Sequence, residues 1–165
     1  MQAMILAAGR GERMRPLTDS TPKPLLELHG KPLIAHRIEA LAAAGFRQLV
    51  INLGWLGGQI EAALGDGSRF GVTIEYSREP PGALETAGGI RHALPLLGGP
   101  SFLVVNADVL CDFPLETLHG REPEGLAHLV MVENPDHHRR GDFALVDGRL
   151  RLEGEPRLTY SGIGV

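Results

Sequence analysis

The stretch that decides the fold is SFLVVNAD, Ser101–Asp108, in a chain of 165 residues. Its middle is continuously apolar rather than alternating, which is expected of a strand covered by helices on both faces of a sheet. The stretch ends in two polar side chains, Asn106 and Asp108. Ligands bind beyond the carboxyl ends of strands in open α/β sheets, so these two residues become candidates for a site.

Strand and helix patterns alternate from this stretch back to the N terminus. They predict strands at 3–8, 47–53, 71–77 and 101–108, and helices at 31–45, 59–64 and 86–97. This alternation indicates an α/β fold, with a doubly wound, mostly parallel sheet of Rossmann-like type. Beyond Asp108 the pattern changes to short strands at 128–134, 142–148, 149–154 and 158–165, with VDGRL (146–150) as a hairpin turn.

Composition and charge exclude several classes of protein. The net charge of −4 argues against general nucleic-acid binding, which usually needs a basic face. Cys111 is the only cysteine, so no intrachain disulfide can form, which suits a reducing compartment. The apolar opening at residues 3–8 lacks a basic lead, and no uncharged run is long enough to cross a bilayer. We therefore expect a cytoplasmic protein with no nucleic-acid or membrane partner.

The first loop, LAAGRGERMRPLTDSTPKP at residues 6–24, has the composition of a ligand loop rather than of a core. Gly9 and Gly11 allow the backbone to approach a ligand closely. A P-loop would need Gly-Lys-Ser/Thr, which is absent, and a Rossmann fingerprint would need glycine where Met14 stands. Three prolines, at 16, 22 and 24, also argue against an immediate helix, so neither motif applies.

The charges of this loop point to phosphate. Residues 9–31 contain five cations and three anions, although the whole chain is acidic, and both lysines of the chain lie there. Lys23 sits between prolines, which predicts a stiff, extended stretch that presents its point charge. Several charge-assisted contacts of about 1.5–3 kcal/mol each could bind a polyphosphate. The alternative is a solvated surface loop with scattered charges.

Four motifs resemble the sugar-phosphate nucleotidyltransferases. The longest is the opening Leu-Ala-Ala-Gly-x-Gly-x-Arg-Met-x-Pro-Leu-Thr, followed by Pro-Lys-Pro, at residues 6–24. The others are LETAGG at 84–89, NAD at 106–108 and, more weakly, YSGI at 160–163. The family joins a nucleoside triphosphate to a sugar 1-phosphate, giving an NDP-sugar and pyrophosphate. The resemblance therefore implies an enzyme with these two substrates as partners.

The resemblance also assigns roles to individual residues. It makes Arg13 and Lys23 catalytic residues that neutralise charge on the phosphates, and Asp108 a ligand of Mg²⁺. It assigns nucleotide binding to Leu6, Ala7, Ala8, Gly9, Gly11, Glu85, Gly88 and Asn106, and sugar binding to Gly141 and Gly162.

Each role has a structural alternative. Arg13 could pair with Glu12 or Asp19, and Asp108 could cap the turn after its strand. Asn106 could satisfy backbone groups, and the pair Gly88-Gly89 could serve helix packing. Packing is the better interpretation for Trp55 and Cys111, and an exposed loop is the better one for His137-His138.

The choice of substrates rests on resemblance alone. The LET version of the base loop, together with NPDHHRRGDF at 134–143, is most similar to bacterial N-acetylmuramate 1-phosphate uridylyltransferases of cell-wall sugar recycling. Mannose 1-phosphate guanylyltransferases share the opening motif but have glycine where Glu85 stands. A carboxylate can accept a hydrogen bond from uracil N3–H or from guanine N1–H, so both remain open. A non-catalytic nucleotide-sensing module is the alternative of another class.

The length fits one domain, residues 1–165. We expect a nucleotide-binding α/β half at 1–112 and the start of a sugar-binding part at 113–165. The chain ends at Val165, next to an apolar strand, and the family has a second Mg²⁺-binding aspartate further on. We therefore expect the domain to be incomplete at its C terminus, and to bind nucleotide but turn over poorly. The sequence predicts no oligomeric state.

Overall fold

The computed structural model describes residues 1–82 and 84–165. Its first part contains four strands: β1 (Ala3–Leu6), β2 (Gln48–Leu53), β3 (Thr73–Arg78) and β4 (Leu103–Asn106). The helices between them are α1 (Leu33–Ala43), α2 (Gly57–Leu64) and α3 (Glu85–Ala93). The second part contains β5 (Leu129–Val132), β6 (Phe143–Val146), β7 (Arg149–Arg151) and β8 (Arg157–Gly164).

The connecting segments contain short regular pieces. Residues Glu27–Leu28 pair with Lys31–Pro32 in a small antiparallel ladder. Single 3₁₀ turns occur at Glu12–Met14, Leu17–Asp19, Lys23–Leu25, Ser68–Phe70, Leu94–Leu96, Leu115–Leu118 and Asp136–His138.

One sheet unites the two parts in the order β3-β2-β1-β4-β8-β6-β7, and β5 also pairs with β8. Strands β3, β2, β1 and β4 are parallel, whereas β8 joins β4 in the antiparallel sense. This arrangement confirms the predicted doubly wound, mostly parallel α/β fold with a β-rich C-terminal part. The VDGRL hairpin is also confirmed, because Val146 pairs with Arg149 across Asp147 and Gly148, both at positive φ.

The direction of winding reverses between β1 and β4. The chain runs outward from β1 to β2 and β3, and then returns to the other side of β1 as β4. The last residues of these two neighbours, Leu6 and Asn106, lie opposite each other in the ladder. Such a reversal separates the loops that leave the carboxyl ends of the two strands and forms a crevice. The first loop and the segment beginning at Asp108 therefore leave the sheet on either side of one crevice.

Two apolar layers cover the parallel part of the sheet. Successive residues of β1 point to opposite faces, so Ile5 belongs to one buried cluster and Met4 to the other. Helix α1 adds Ile34, Ile38 and Leu41 to the larger cluster, at the spacing of one helical face. Burial on both faces is the physical reason for the continuous apolar run that the sequence shows at β4.

The structure corrects some predicted bounds. The first helix begins only after Pro32, because Lys31 and Pro32 belong to the small ladder. The third helix ends at Ala93, and a 3₁₀ turn that contains Pro95 follows it. The first strand stops at Leu6, two residues before its predicted end. None of the helices in the described ranges has the length and apolar character needed to span a membrane.

Candidate active site

Two linked hydrogen bonds, one of them fully buried, fix the start of the first loop. The Ala7 N–H donates to Asn52 Oδ1 at 2.7 Å, and Asn52 Nδ2 donates to Glu79 Oε1 at 2.7 Å. Asn52 is only 4% exposed near the end of β2, so its bond to Ala7 forms away from competing water. The carbonyl of Leu6 accepts the Ala107 N–H at 3.1 Å. The loop therefore leaves the sheet in a defined direction.

The loop after β2 supports the first loop further along. The backbone N–H of Trp55 donates to the Ala8 carbonyl at 3.3 Å, and its indole Nε1 donates to the Thr18 carbonyl at 3.0 Å. Trp55 is a packing residue, as its sequence context predicts, but what it packs against is the candidate ligand loop itself. The open part of the loop is Gly9, where an added Cβ would meet no atom within 4 Å.

Most cations of the loop already have partners. The Arg10 guanidinium lies 3.6 Å from the centroid of the Trp55 ring, and both Arg10 and Arg15 form ion pairs with Asp19, at 3.4 and 2.9 Å. Arg13 is exposed and forms no ion pair with any residue that the structure describes. The alternative in which Arg13 pairs with Glu12 or Asp19 therefore finds no support among the described residues, and its guanidinium is available to a ligand.

Gly11 allows the loop to fold back onto Lys23. It has a φ of +69°, and a Cβ there would lie 3.0 Å from Lys23 Cβ and 3.1 Å from Thr18 Cγ2. The hydroxyl of Thr18, which is 1% exposed, donates to the Gly11 carbonyl at 3.0 Å. The expected extended conformation at Lys23 is wrong, since Lys23 begins a 3₁₀ turn closed by the Leu26 N–H at 3.0 Å.

The crevice between β1 and β4 brings the two predicted charges together. Lys23 Nζ donates to Asp108 Oδ2, and both side chains remain accessible, at 27% and 32%. Among the described residues, no backbone N–H donates to the Asp108 carboxylate, so the turn-capping alternative finds no support. The arrangement places an ammonium and a hard oxygen ligand side by side at an opening to solvent.

The residues around Asp108 fit Mg²⁺ bound together with a phosphate group. Within the described ranges, no group of three or more His, Cys, Asp or Glu side chains is close enough to enclose a metal ion. Mg²⁺ usually takes only one or two carboxylates and completes its shell with phosphate oxygens and water. A single accessible carboxylate beside Lys23 suits that mode of binding.

The residues predicted to recognise the base lie at the start of α3. Glu85 is its exposed first residue, with a φ of +56°, and residue 83, two positions before it, lies outside the described ranges. Gly88 is half-buried, and its added Cβ would lie 3.0 Å from Leu84 Cβ. Gly89 is buried, and a Cβ there would lie 2.6 Å from Glu79 Oε1. Gly89 therefore serves packing, and contact of Glu85 and Gly88 with a base stays a prediction.

Two glycines predicted to bind sugar lie at close contacts in the β-rich part. Gly162 has a φ of +81°, and its Cβ would overlap Asn106 Nδ2. Gly141 has a φ of +62°, and its Cβ would lie 2.7 Å from Asn134 Oδ1. Gly162 thus lies against the carboxyl end of β4, beside a predicted nucleotide-binding residue. Direct contact of either glycine with a sugar stays a prediction.

Asp142 fixes the loop that contains Gly141. Its Oδ2 accepts the Tyr160 N–H at 2.8 Å, and its Oδ1 lies 3.0 Å from His138 Nε2. The Tyr160 N–H is the main cause that holds the pKa of the Asp142 carboxyl below its usual range. Because His138 is engaged in this way, the structure favours the exposed-loop interpretation of His137-His138 over a metal site.

Comparison with known sequences identifies relatives over the whole chain. The family model described as nucleotidyl transferase matches residues 2–143. N-acetylmuramate alpha-1-phosphate uridylyltransferase from Neisseria meningitidis serogroup B is 59% identical over 100% of this chain and 74% of the relative. Mannose-1-phosphate guanyltransferase from Gibberella zeae is 40% identical over 89% of this chain, which spans 43% of that relative. These matches confirm the resemblance that the motifs predict.

Solved structures support the fold. HddC from Yersinia pseudotuberculosis, complexed with GMP-PN, matches with a TM-score of 0.81 and 21% identity, over 99% of this chain and 75% of that one. A Bacillus anthracis chain assigned as a glucose-1-phosphate thymidylyltransferase also gives 0.81, at 24% identity, covering 99% and 70% of the two chains.

Proposed function

Because the chain belongs to the nucleotidyl transferase family, whose members here act on sugar phosphates, we propose that it transfers a uridylyl group from UTP to N-acetylmuramate α-1-phosphate. The products are UDP-N-acetylmuramate and pyrophosphate. The observation that carries the chemistry is the meeting of Lys23 and Asp108 in the crevice between β1 and β4. The choice of substrates is supported by the 59% identity to the Neisseria relative.

In this proposal, catalysis consists of positioning and charge neutralisation. An oxygen of the sugar phosphate attacks the α-phosphorus, and pyrophosphate leaves in line. The attacking oxygen is already an anion, so no strong general base is needed. Lys23 would stabilise the charge that develops on the phosphates near the reacting centre, and Arg13 would bind the triphosphate.

Asp108 would hold Mg²⁺ through its carboxylate, in line with the single accessible oxygen donor described above. When bound, the ion supplies Lewis-acid neutralisation of the phosphate oxygens. Lys23 must then exchange its contact with Asp108 for a contact with phosphate. The remaining contacts to nucleotide and sugar follow the predicted assignments: the backbone of residues 6–9 would face the base and ribose, and Gly11 would let the loop close over the phosphates.

Guanylyl transfer to mannose 1-phosphate is the second candidate. The relative with that name from Gibberella zeae is 40% identical to this chain. Glu85, an exposed carboxylate, can accept a hydrogen bond from uracil or from guanine. The greater identity to the uridylyltransferase favours UTP. We place the product in cell-wall sugar recycling in the cytoplasm.

The test is a matrix of nucleoside triphosphates against sugar 1-phosphates, assayed for pyrophosphate with and without Mg²⁺. We expect release only when UTP, N-acetylmuramate 1-phosphate and Mg²⁺ are all present. Preference for GTP with mannose 1-phosphate would replace the first proposal with the second. Nucleotide binding without turnover for any pair would instead indicate a nucleotide-sensing module.

A further inference from the structure

Helix α1 buries an arginine beneath the segment that follows Asp108. Arg37 is only 2% exposed, between the core residues Ile34 and Ile38. Its Nη2 donates to the carbonyl of Val109, the residue directly after Asp108. Both Nη1 and Nη2 also lie 4.0 Å from Cys111 Sγ. One guanidinium therefore contacts two of the three residues that follow Asp108.

The charge of Arg37 is not neutralised by any carboxylate in the described part of the chain. Its Nε is buried and has no hydrogen-bond partner there. A buried guanidinium without an acidic partner is unfavourable, and an apolar side chain of similar volume is often equally or more stable at such a position. Stability is therefore a poor explanation for an arginine here.

We propose that Arg37 is a positioning residue for Asp108. It holds the segment 109–111 against α1 through the Val109 carbonyl, so that the carboxylate of Asp108 faces the crevice beside Lys23. The inference rests on the proposed function, in which Asp108 acts on the nucleotide complex. Removing a residue that holds a metal ligand in place typically lowers metal affinity or activity roughly 10–100-fold.

The experiment compares Arg37→Met and Arg37→Lys with the wild type in turnover, thermal stability and amide hydrogen exchange. We expect Arg37→Met to lower kcat roughly 10–100-fold while Tm changes by only a few degrees. Exchange should become faster in residues 108–113 and stay unchanged in β1 and β2. Arg37→Lys, which keeps a buried donor, should recover part of both effects. Arg47→Met is the control, because Arg47 donates to Ala42 and Phe46 carbonyls near the end of the same helix, outside the site.

Wild-type kcat and unchanged exchange in Arg37→Met would overturn the proposal and leave the proposed function intact. Loss of folding in both variants would also overturn it, because Arg37 would then be a structural residue. If the wild type itself releases no pyrophosphate with any substrate pair, the proposed function fails. The exchange comparison then still decides whether Arg37 holds the segment.

Discussion

Lys23 and Asp108 stand 85 positions apart in the sequence, yet their side chains form an ion pair at the crevice between β1 and β4. Both side chains are about one-third accessible or less, and their charges cancel in the protein without ligand. An exposed pair of this kind contributes at most about 1 kcal/mol to folding. Its position at the carboxyl ends of β1 and β4, where Gly11 packs closely against Lys23, points to ligand binding rather than to stability.

Replacing Lys23 tests this view directly. Lys23→Ala should lower kcat by roughly 10²–10³-fold, because one preorganised charge on the phosphates is lost. The free energy of unfolding should change little. Lys31→Ala is the matched control, since Lys31 is the only other lysine and pairs with Glu39 at 2.6 Å. Full activity in Lys23→Ala, measured by pyrophosphate release, would exclude the role assigned to Lys23.

The ion pair also predicts competition between Lys23 and a divalent cation for Asp108. In Lys23→Met the carboxylate has lost its ammonium partner, so Mn²⁺ should bind the nucleotide-free protein more tightly than it binds the wild type. Electron paramagnetic resonance titration measures this affinity. The double variant Lys23→Met, Asp108→Asn is the control and should lose the gain. Equal Mn²⁺ affinity in Lys23→Met and the wild type would argue against Asp108 as a metal ligand.

The sequence predicts much of this arrangement because its signals are local. The apolar run of β4 predicts a strand covered on both faces, and the glycines, prolines and cations of the first loop predict a phosphate site. Lys23 and Asp108 are both predicted, and the parallel topology explains why they meet. A local sequence pattern is sufficient to predict a functional residue when its role depends on the residue type itself.

The supporting residues are not predicted, because their roles depend on the register between distant segments. Asn52 is a polar residue in an apolar strand, and only the pairing of β1 with β2 places its side chain beside the Ala7 N–H. Arg37 interrupts the apolar face of α1, which is a visible signal, but its partner Val109 lies 72 positions away. The 3₁₀ turn at Lys23 also escapes prediction, since the proline rule for the preceding residue favours extended backbone.

Substitution of Gly54 tests how closely the loop after β2 must approach the first loop. A Cβ at Gly54 would lie 2.6 Å from the Ala8 carbonyl oxygen, and this backbone atom cannot rotate away. Gly54→Ala should therefore destabilise the protein by about 1–3 kcal/mol and weaken UTP binding. Gly58→Ala is the control, because nothing lies within 4 Å of its added Cβ. Chemical denaturation and calorimetry measure the two effects, and wild-type values in Gly54→Ala would contradict the predicted clash.

Asn52 tests whether the buried hydrogen bonds serve the ligand loop. Asn52→Ala leaves the buried Ala7 N–H without its acceptor, which should cost about 1–3 kcal/mol of unfolding free energy. Because Ala7 begins the loop, the affinity for UTP should fall as well. Gln48→Ala, at the exposed start of the same strand, should change neither quantity. A loss of stability with unchanged UTP affinity would show that Asn52 supports only the fold.

The lowered pKa of Asp142 predicts that the stability of the protein depends on pH. The Tyr160 N–H lowers the pKa of its carboxyl below the ordinary value of 3.8, so the ionised form is favoured in the folded protein. The resulting stabilisation is present above that value and is lost as the pH falls through the lowered pKa. The side chain is 37% exposed, so we expect no more than about 1 kcal/mol. Asp142→Asn should be less stable than the wild type at about pH 6, and the difference should shrink towards about pH 3.

Denaturant titrations of both proteins across this range measure that difference. Asp136→Asn is the control, because its side chain is 96% exposed and its one ion pair among the described residues is with the exposed Arg139. The control should follow the wild type at every pH, since its carboxylate is solvated in the folded and unfolded states alike. A constant difference between Asp142→Asn and the wild type would mean that the hydrogen bond from Tyr160 does not depend on ionisation. The stability of the loop that contains Gly141 would then depend on the shape of the side chain at position 142 rather than on its negative charge.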